Sequence, residues 1–98
     1  MTGSTRSSEG LDGRRRKLLF RAWHRGMREM DLIMGRFADQ MIDQLGDGDL
    51  AEFERLLELP DRELLAWITG ELNVPPNVDS ALLRRLRDFH AQIEDAGS

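Results

Sequence analysis

Ninety-eight residues are enough for one hydrophobic core and no more, which excludes a two-domain enzyme. Apolar residues make up 40% of the chain and charged residues 33%, no apolar run approaches the ~18 residues of a membrane span, and there is no cysteine; this excludes spanning, disulfides, thiolate catalysis, iron–sulfur ligation and cysteine-bound zinc together. The formal charge of −4 hides an asymmetry: residues 1–28 carry eight Arg or Lys and two acids, residues 29–98 six and sixteen, the pattern of a basic arm on an acidic body.

Residues 1–13 are Gly, Ser, Thr and charge around an isolated Leu11, and cannot bury enough surface to offset the entropy of ordering them; a disordered N-terminal arm is expected. The arm lacks the apolar stretch of a secretory signal. Glu9, Asp12 and its shortness argue against a mitochondrial transit peptide, so the expected address is cytoplasmic. From Arg14 onward helical periodicity dominates and nothing alternates for the length of a strand. A first short helix is predicted over 14–24, with Leu18, Leu19, Ala22 and Trp23 on one face and Gly26 ending or bending it. A second, from 27 or 28 to 44, repeats Met30, Ile33, Met34, Phe37, Met41 and Leu45 at intervals of three and four.

Gly46-Asp47-Gly48-Asp49 reads as a turn whose aspartates cap a third helix over 50–59, built on Leu50, Phe53, Leu56 and Leu57 and stopped by Pro60. Asp61 caps a fourth, with Leu64, Leu65, Trp67, Ile68 and Leu72 as its apolar set and Gly70 near its end. After Pro75-Pro76, Asp79 or Ser80 caps a fifth, whose seam is Leu82, Leu83, Leu86, Phe89 and Ile93. The fold class is therefore all-α: a compact five-helix bundle with short loops, one domain over 14–95. Trp23, Trp67, Met30, Met34 and Met41 are read as core; Met27 is left between core and surface.

Catalytic constellations are absent from the pattern. His24 and His90 are the only histidines, fall on different helices and have no metal-ligand spacing around them. Asp47-Gly48-Asp49 resembles the opening of a calcium loop with Glu58 in twelfth place, but Glu52 occupies the position that requires glycine, so a helix-capping turn is the better reading. No phosphate loop and no nucleophile elbow occurs.

The segment 23–31, Trp-His-Arg-Gly-Met-Arg-Glu-Met-Asp, is different. At 100° per residue Arg25, Arg28, Glu29, Arg36 and Asp39 share one side of a helix, with Met30, Ile33, Phe37 and Met41 roughly opposite. Arg25 and Glu29 are expected to project outward, with Leu32 in the midst of the charge and Gly26 leaving the backbone open to a partner. Two readings of these residues stay open: a contact patch, or a helix-terminating glycine with a favourable first-turn anion and solvated arginines. Arg25 before Glu29 is the less favourable order for an i, i+4 pair, so intrahelical pairing does not explain the clustering.

Arg25-Gly26-x-x-Glu29, followed by Gly35-Arg36-Phe37, resembles the RGxxE motif of the small succinate dehydrogenase assembly factors that promote covalent FAD attachment. Phe53, Leu56-Leu57-Glu58, Asp61, Leu64-Leu65 and Trp67 resemble that family's second signature, so the likeness runs from about residue 18 to 70. The family often has an arginine before the Arg-Gly pair; here it is His24. The resemblance implies a five-helix protein that binds the flavoprotein subunit of succinate dehydrogenase, and in bacteria that of fumarate reductase. It implies that a histidine of the flavoprotein is joined to the 8α-methyl of its own flavin, the factor holding no cofactor. Partner-binding residues implied on this chain are Arg25, Gly26 and Glu29, with Arg28, Asp31, Leu32 and Arg36 around them.

A competing reading makes Arg14-Arg15-Arg16-Lys17 a contact for nucleic acid or anionic lipid, against which stand the acidic body and the lack of base-stacking aromatics beside the run. An antitoxin-like partner protein is a third reading without separate support in the residues. The partner expected is thus the flavoprotein, with no nucleic acid and no membrane insertion.

Overall fold

Asp12 opens the first helix by accepting the Arg15 backbone N–H at 2.8 Å on its carboxylate, so the ordered chain begins slightly earlier than the composition suggests. Leu11 beside it packs on the core. The computed structural model describes residues 10–97, with side chains to Ile93; the expected arm lies, over 1–9, outside the described residues. Among the described residues there are five α-helices and no strand: α1 Gly13–Trp23, α2 Arg28–Met41, α3 Asp47–Leu57, α4 Asp61–Thr69 and α5 Ala81–Gly97.

Helix starts depart from the expected caps in an instructive way. Gly46, extended at φ −80°, is the residue before α3, so Asp47 and Asp49 sit inside its first turn, where they complement the helix dipole rather than cap it by side-chain bonds. Pro60 likewise precedes α4, and the Asp61 carboxylate is occupied elsewhere. At α5 the choice falls on Ser80, whose Oγ accepts the Leu83 N–H at 3.1 Å, while Asp79 takes the Arg84 guanidinium at 2.7 Å. Gly70 ends α4 in the left-handed region (φ +84°). Leu72, expected in the apolar set of α4, comes after that turn and is 52% exposed.

The helices close around one core. Phe37 of α2 meets Phe53 of α3 and Phe89 of α5 edge-on, at centroid separations of 5.9 and 5.5 Å, which ties three helices at one point. Met30 and Met34 are fully buried and Met41 partly, while both tryptophans pack inside. α1 lies on α2 and α3, and α4 on α5. The α1–α2 contact rests on a glycine: a Cβ at Gly35 would stand 2.3 Å from Cδ2 of Trp23, so only a bare backbone lets the indole down onto α2. There its Nε1 donates to Asp39 at 3.0 Å.

Charge asymmetry along the sequence becomes pairing in space. Arg14 of α1 makes a two-pronged contact with Glu54 of α3 (3.0 and 2.9 Å), and Arg21 donates to Glu58 at 2.5 Å. Arg15 turns inward instead, donating from Nε to the Ile42 carbonyl (2.9 Å) and from Nη2 to that of Leu45, so it closes the end of α2. Arg55 pairs with Glu52 and reaches the Val78 carbonyl at 2.9 Å, holding the loop before α5.

Two outcomes follow from this packing. Gly35→Ala should lower unfolding free energy by about 3 kcal/mol, the upper range for overpacking, and shift Trp23 fluorescence; an unchanged urea midpoint would contradict the packing. Asp12 is held below the usual carboxylate range by the Arg15 backbone N–H, and Glu52, Glu54 and Asp79 by hydrogen bonds from Arg55, Arg14 and Arg84. Their folded pKa values lie below the unfolded ones, so their stabilisation is complete above the ordinary carboxylate range and is lost as pH falls through the folded values. Melting temperature should therefore drop between about pH 5 and 3, less steeply in Glu52→Gln, as circular dichroism would measure.

Candidate functional site

The helical phase assumed for residues 23–31 is broken, because the chain leaves the helix between α1 and α2. Trp23 ends α1; the His24 ring stacks on Phe20 at 3.9 Å and its Nδ1 lies 2.7 Å from the Phe20 carbonyl. Gly26 then turns the backbone through φ +93°, and Met27, extended and partly buried on the core, leads into α2. A Cβ at Gly26 would meet nothing within 4 Å, so glycine is needed there for its backbone conformation and not for room inside this chain.

Arg25 consequently does not project outward. Its side chain is 11% exposed and reaches into the corner between α3 and α4. Nε donates to Asp61 Oδ1 at 2.8 Å and Nη2 lies 2.6 Å from the same oxygen; Nη1 donates to the Leu57 carbonyl and Nη2 to that of Leu59 at 3.1 Å. Those carbonyls, at and just past the end of α3, would otherwise lack partners. The Arg25 backbone N–H donates to Asp31 Oδ1 at 2.5 Å, which fastens the linker to the first turns of α2. The sequence missed this because it treated 25 and 29 as one helical face; the nearest signal was Asp61, read as a cap.

The other expected site residues fall into three settings. Asp31 joins Arg25 in the internal lattice. Arg28, Glu29 and Arg36 are exposed, and none of their side chains makes a hydrogen bond or ion pair among the described residues. Leu32 is partly buried and packs against the core. Glu29, Leu32, Ile33 and Arg36, all on one face of α2, form one wall of a groove of about 210 Å³. Leu65 and Thr69 of α4 and Phe89, His90 and Ile93 of α5 complete it. The contribution of α5 was not read from the sequence, which placed Phe89 and Ile93 on its apolar seam; Phe89 packs against the core and lines the groove as well.

Other chemistry is not assembled. Asp47 and Asp49 lie in the first turn of α3 and Glu58 just past its last residue, with Asp49 near Arg85 (3.4 Å) and Glu58 on Arg21, so they form no calcium loop. Among the described residues no group of three His, Asp or Glu could hold a metal. Of the basic run, Arg14 and Arg15 serve their own fold, leaving Arg16 and Lys17 exposed.

Fold and surface together define a class, a small helical binding protein whose outward chemistry is charge flanking an apolar groove. A family model described as flavinator of succinate dehydrogenase matches residues 16–90, and the chain belongs to that family. It is an FAD assembly factor that promotes flavinylation of the succinate dehydrogenase flavoprotein, acting on the partner's FAD, and is not a catalytic enzyme. Among its relatives, the FAD assembly factor SdhE of Acetobacter pasteurianus is 39% identical over 80 residues, 82% of this chain and 73% of the relative. The mitochondrial succinate dehydrogenase assembly factor 2 of Meyerozyma guilliermondii is 34% identical over 94 residues (92% and 69%), and that of Dictyostelium discoideum 36% over 83 (85% and 58%). No solved structure matches the chain at a significant level.

Arg25→Ala should cost about 3 kcal/mol, the low end for breaking a buried ion pair, because Asp61 and two carbonyls lose their donor. Chemical denaturation measures it; a loss under about 0.5 kcal/mol, as for a surface charge, would contradict the inward geometry.

Proposed function

We propose that this chain docks on the FAD-loaded flavoprotein subunit through the exposed start of α2, with Arg28 and Glu29 at the centre and Gly26 giving close approach, and that it promotes flavinylation by positioning. The single observation carrying the site is that the Arg28 and Glu29 side chains are exposed, with no partner among the described residues, on a junction that Arg25 fastens to Asp31 and Asp61. Arg25 and Asp31 hold that junction rather than touch the partner. The reacting histidine and flavin belong to the flavoprotein, and the factor stabilises the arrangement in which they meet. Aligning reacting groups supplies several kcal/mol without any donated atom. A rigid docking surface also leaves less side-chain entropy to lose on association.

The fumarate reductase flavoprotein is a second client for the same surface. The expected setting is a bacterial cytoplasm; no helix among the described residues is long and apolar enough to cross a membrane.

Co-expression with the flavoprotein and in-gel flavin fluorescence test the site. Glu29→Ala should abolish covalent flavin while leaving the melting temperature within about 1 °C, as for an exposed substitution. Gly26→Ala carries only the left-handed backbone cost of about 1 to 2 kcal/mol and should retain partial flavinylation, whereas Gly26→Arg adds bulk at the interface and should retain none. Full flavinylation with Glu29→Ala and Gly26→Arg would remove the assignment.

A further inference from the structure

Leu32 of α2, Leu65 of α4 and Phe89 of α5 floor a groove whose size, about 210 Å³, decides what enters it. Small-molecule sites run from about 300 to 1,000 Å³, so a flavin dinucleotide is too large, whereas one bulky apolar side chain is not. The rim is charged at two points. Glu29 and Arg36, seven residues apart on α2, stand about 10 Å from one another along the axis. Neither side chain makes a hydrogen bond or ion pair among the described residues, whereas Arg14, Arg21 and Arg25 each hold an acid of the same chain.

We infer that this groove receives a single apolar anchor side chain of the flavoprotein, on a segment that sets a basic residue against Glu29 and a carboxylate against Arg36. The inference rests on the docking proposed above and extends it from the helix junction across α4 to α5. Anchors of this kind, one large side chain in a central pocket ringed by polar groups, carry most of the energy of many interfaces. A second copy of this chain is a poorer occupant. A two-fold pairing sets the same face against itself, and this face offers a recess with no knob to fill it. The large apolar side chains exposed among the described residues, Phe20 and Leu72, are not part of the groove.

The test uses the full chain and the full-length FAD-loaded flavoprotein subunit, with binding measured by titration calorimetry. Thr69→Trp fills the groove from an exposed position, Arg36→Glu inverts one rim charge, and Gln44→Trp is an exposed control outside the groove. Thr69→Trp and Arg36→Glu should each weaken binding at least about tenfold, with Gln44→Trp like wild type. Arg36→Glu, on the surface, keeps the test valid should the tryptophan disturb folding. Wild-type affinity for Arg36→Glu and for folded Thr69→Trp, with Glu29→Ala still abolishing binding, would overturn the groove inference and leave the docking reading standing. Wild-type affinity for Glu29→Ala as well would overturn both. Sedimentation showing a dimer that Thr69→Trp dissolves would give the groove to a second copy and likewise overturn the inference.

Discussion

The geometry at the start of α2 depends on one guanidinium. Arg25 binds Asp61 through two of its nitrogens and the carbonyls of Leu57 and Leu59 through its outer pair, so a planar fork takes the directions offered by the corner between α3 and α4. Removing such a charge from water is costly unless every donor is used, and here the corner supplies both the counter-charge and two acceptors that the end of a helix leaves free. Because the same residue's backbone N–H is held by Asp31, side chain and main chain of residue 25 are anchored in different helices. Gly26 then has a single course, and Glu29 emerges at a defined place.

That device recurs. Arg15 closes α2, Arg25 closes α3, and Arg55 reaches across to Val78, each by donating to backbone carbonyls at or near a chain turn. Thirteen arginines against a single lysine suit this use, since the planar guanidinium fork presents its donors in fixed directions to a carbonyl and a carboxylate, or to two carbonyls, whereas a lysine ammonium is a compact point charge. The exposed pairs Arg14–Glu54 and Arg21–Glu58 contribute less individually, being screened by solvent, but they explain why a basic segment precedes an acidic one. Much of the polarity of the chain is neutralised within the fold, which weakens the case for α1 as a phosphate-binding arm.

An assembly factor that contributes no reacting group must act through shape and electrostatics, and both need a surface that does not rearrange. On the proposed docking surface, Arg28, Glu29 and Arg36 present side chains with no ion pair among the described residues, on a helix whose start is fastened from two sides. Under the proposed docking, little is lost in ordering that surface, which leaves more of the contact energy for holding the flavoprotein in its reactive arrangement.

Five helices were legible because apolar residues at three- and four-residue spacing demand burial on one face, and Pro60, Gly70 and Pro75-Pro76 interrupt the pattern locally. The RGxxE resemblance was legible as well, since it needs only residue types in order. Which way Arg25 faces was not, because Asp61 and the carbonyls that claim it lie more than thirty residues away and approach only when α1 settles on α3. Helical phase is a local property, and a left-handed glycine between two helices cancels it. Phe89 and Ile93 carried the mark of an apolar seam, and Phe89 does reach Phe37 of α2, but nothing nearby in the chain could say that the same two residues would also line a groove beside Glu29. Linear order settles what each segment must bury; three-dimensional packing settles which charges find a partner inside and which are left for another molecule.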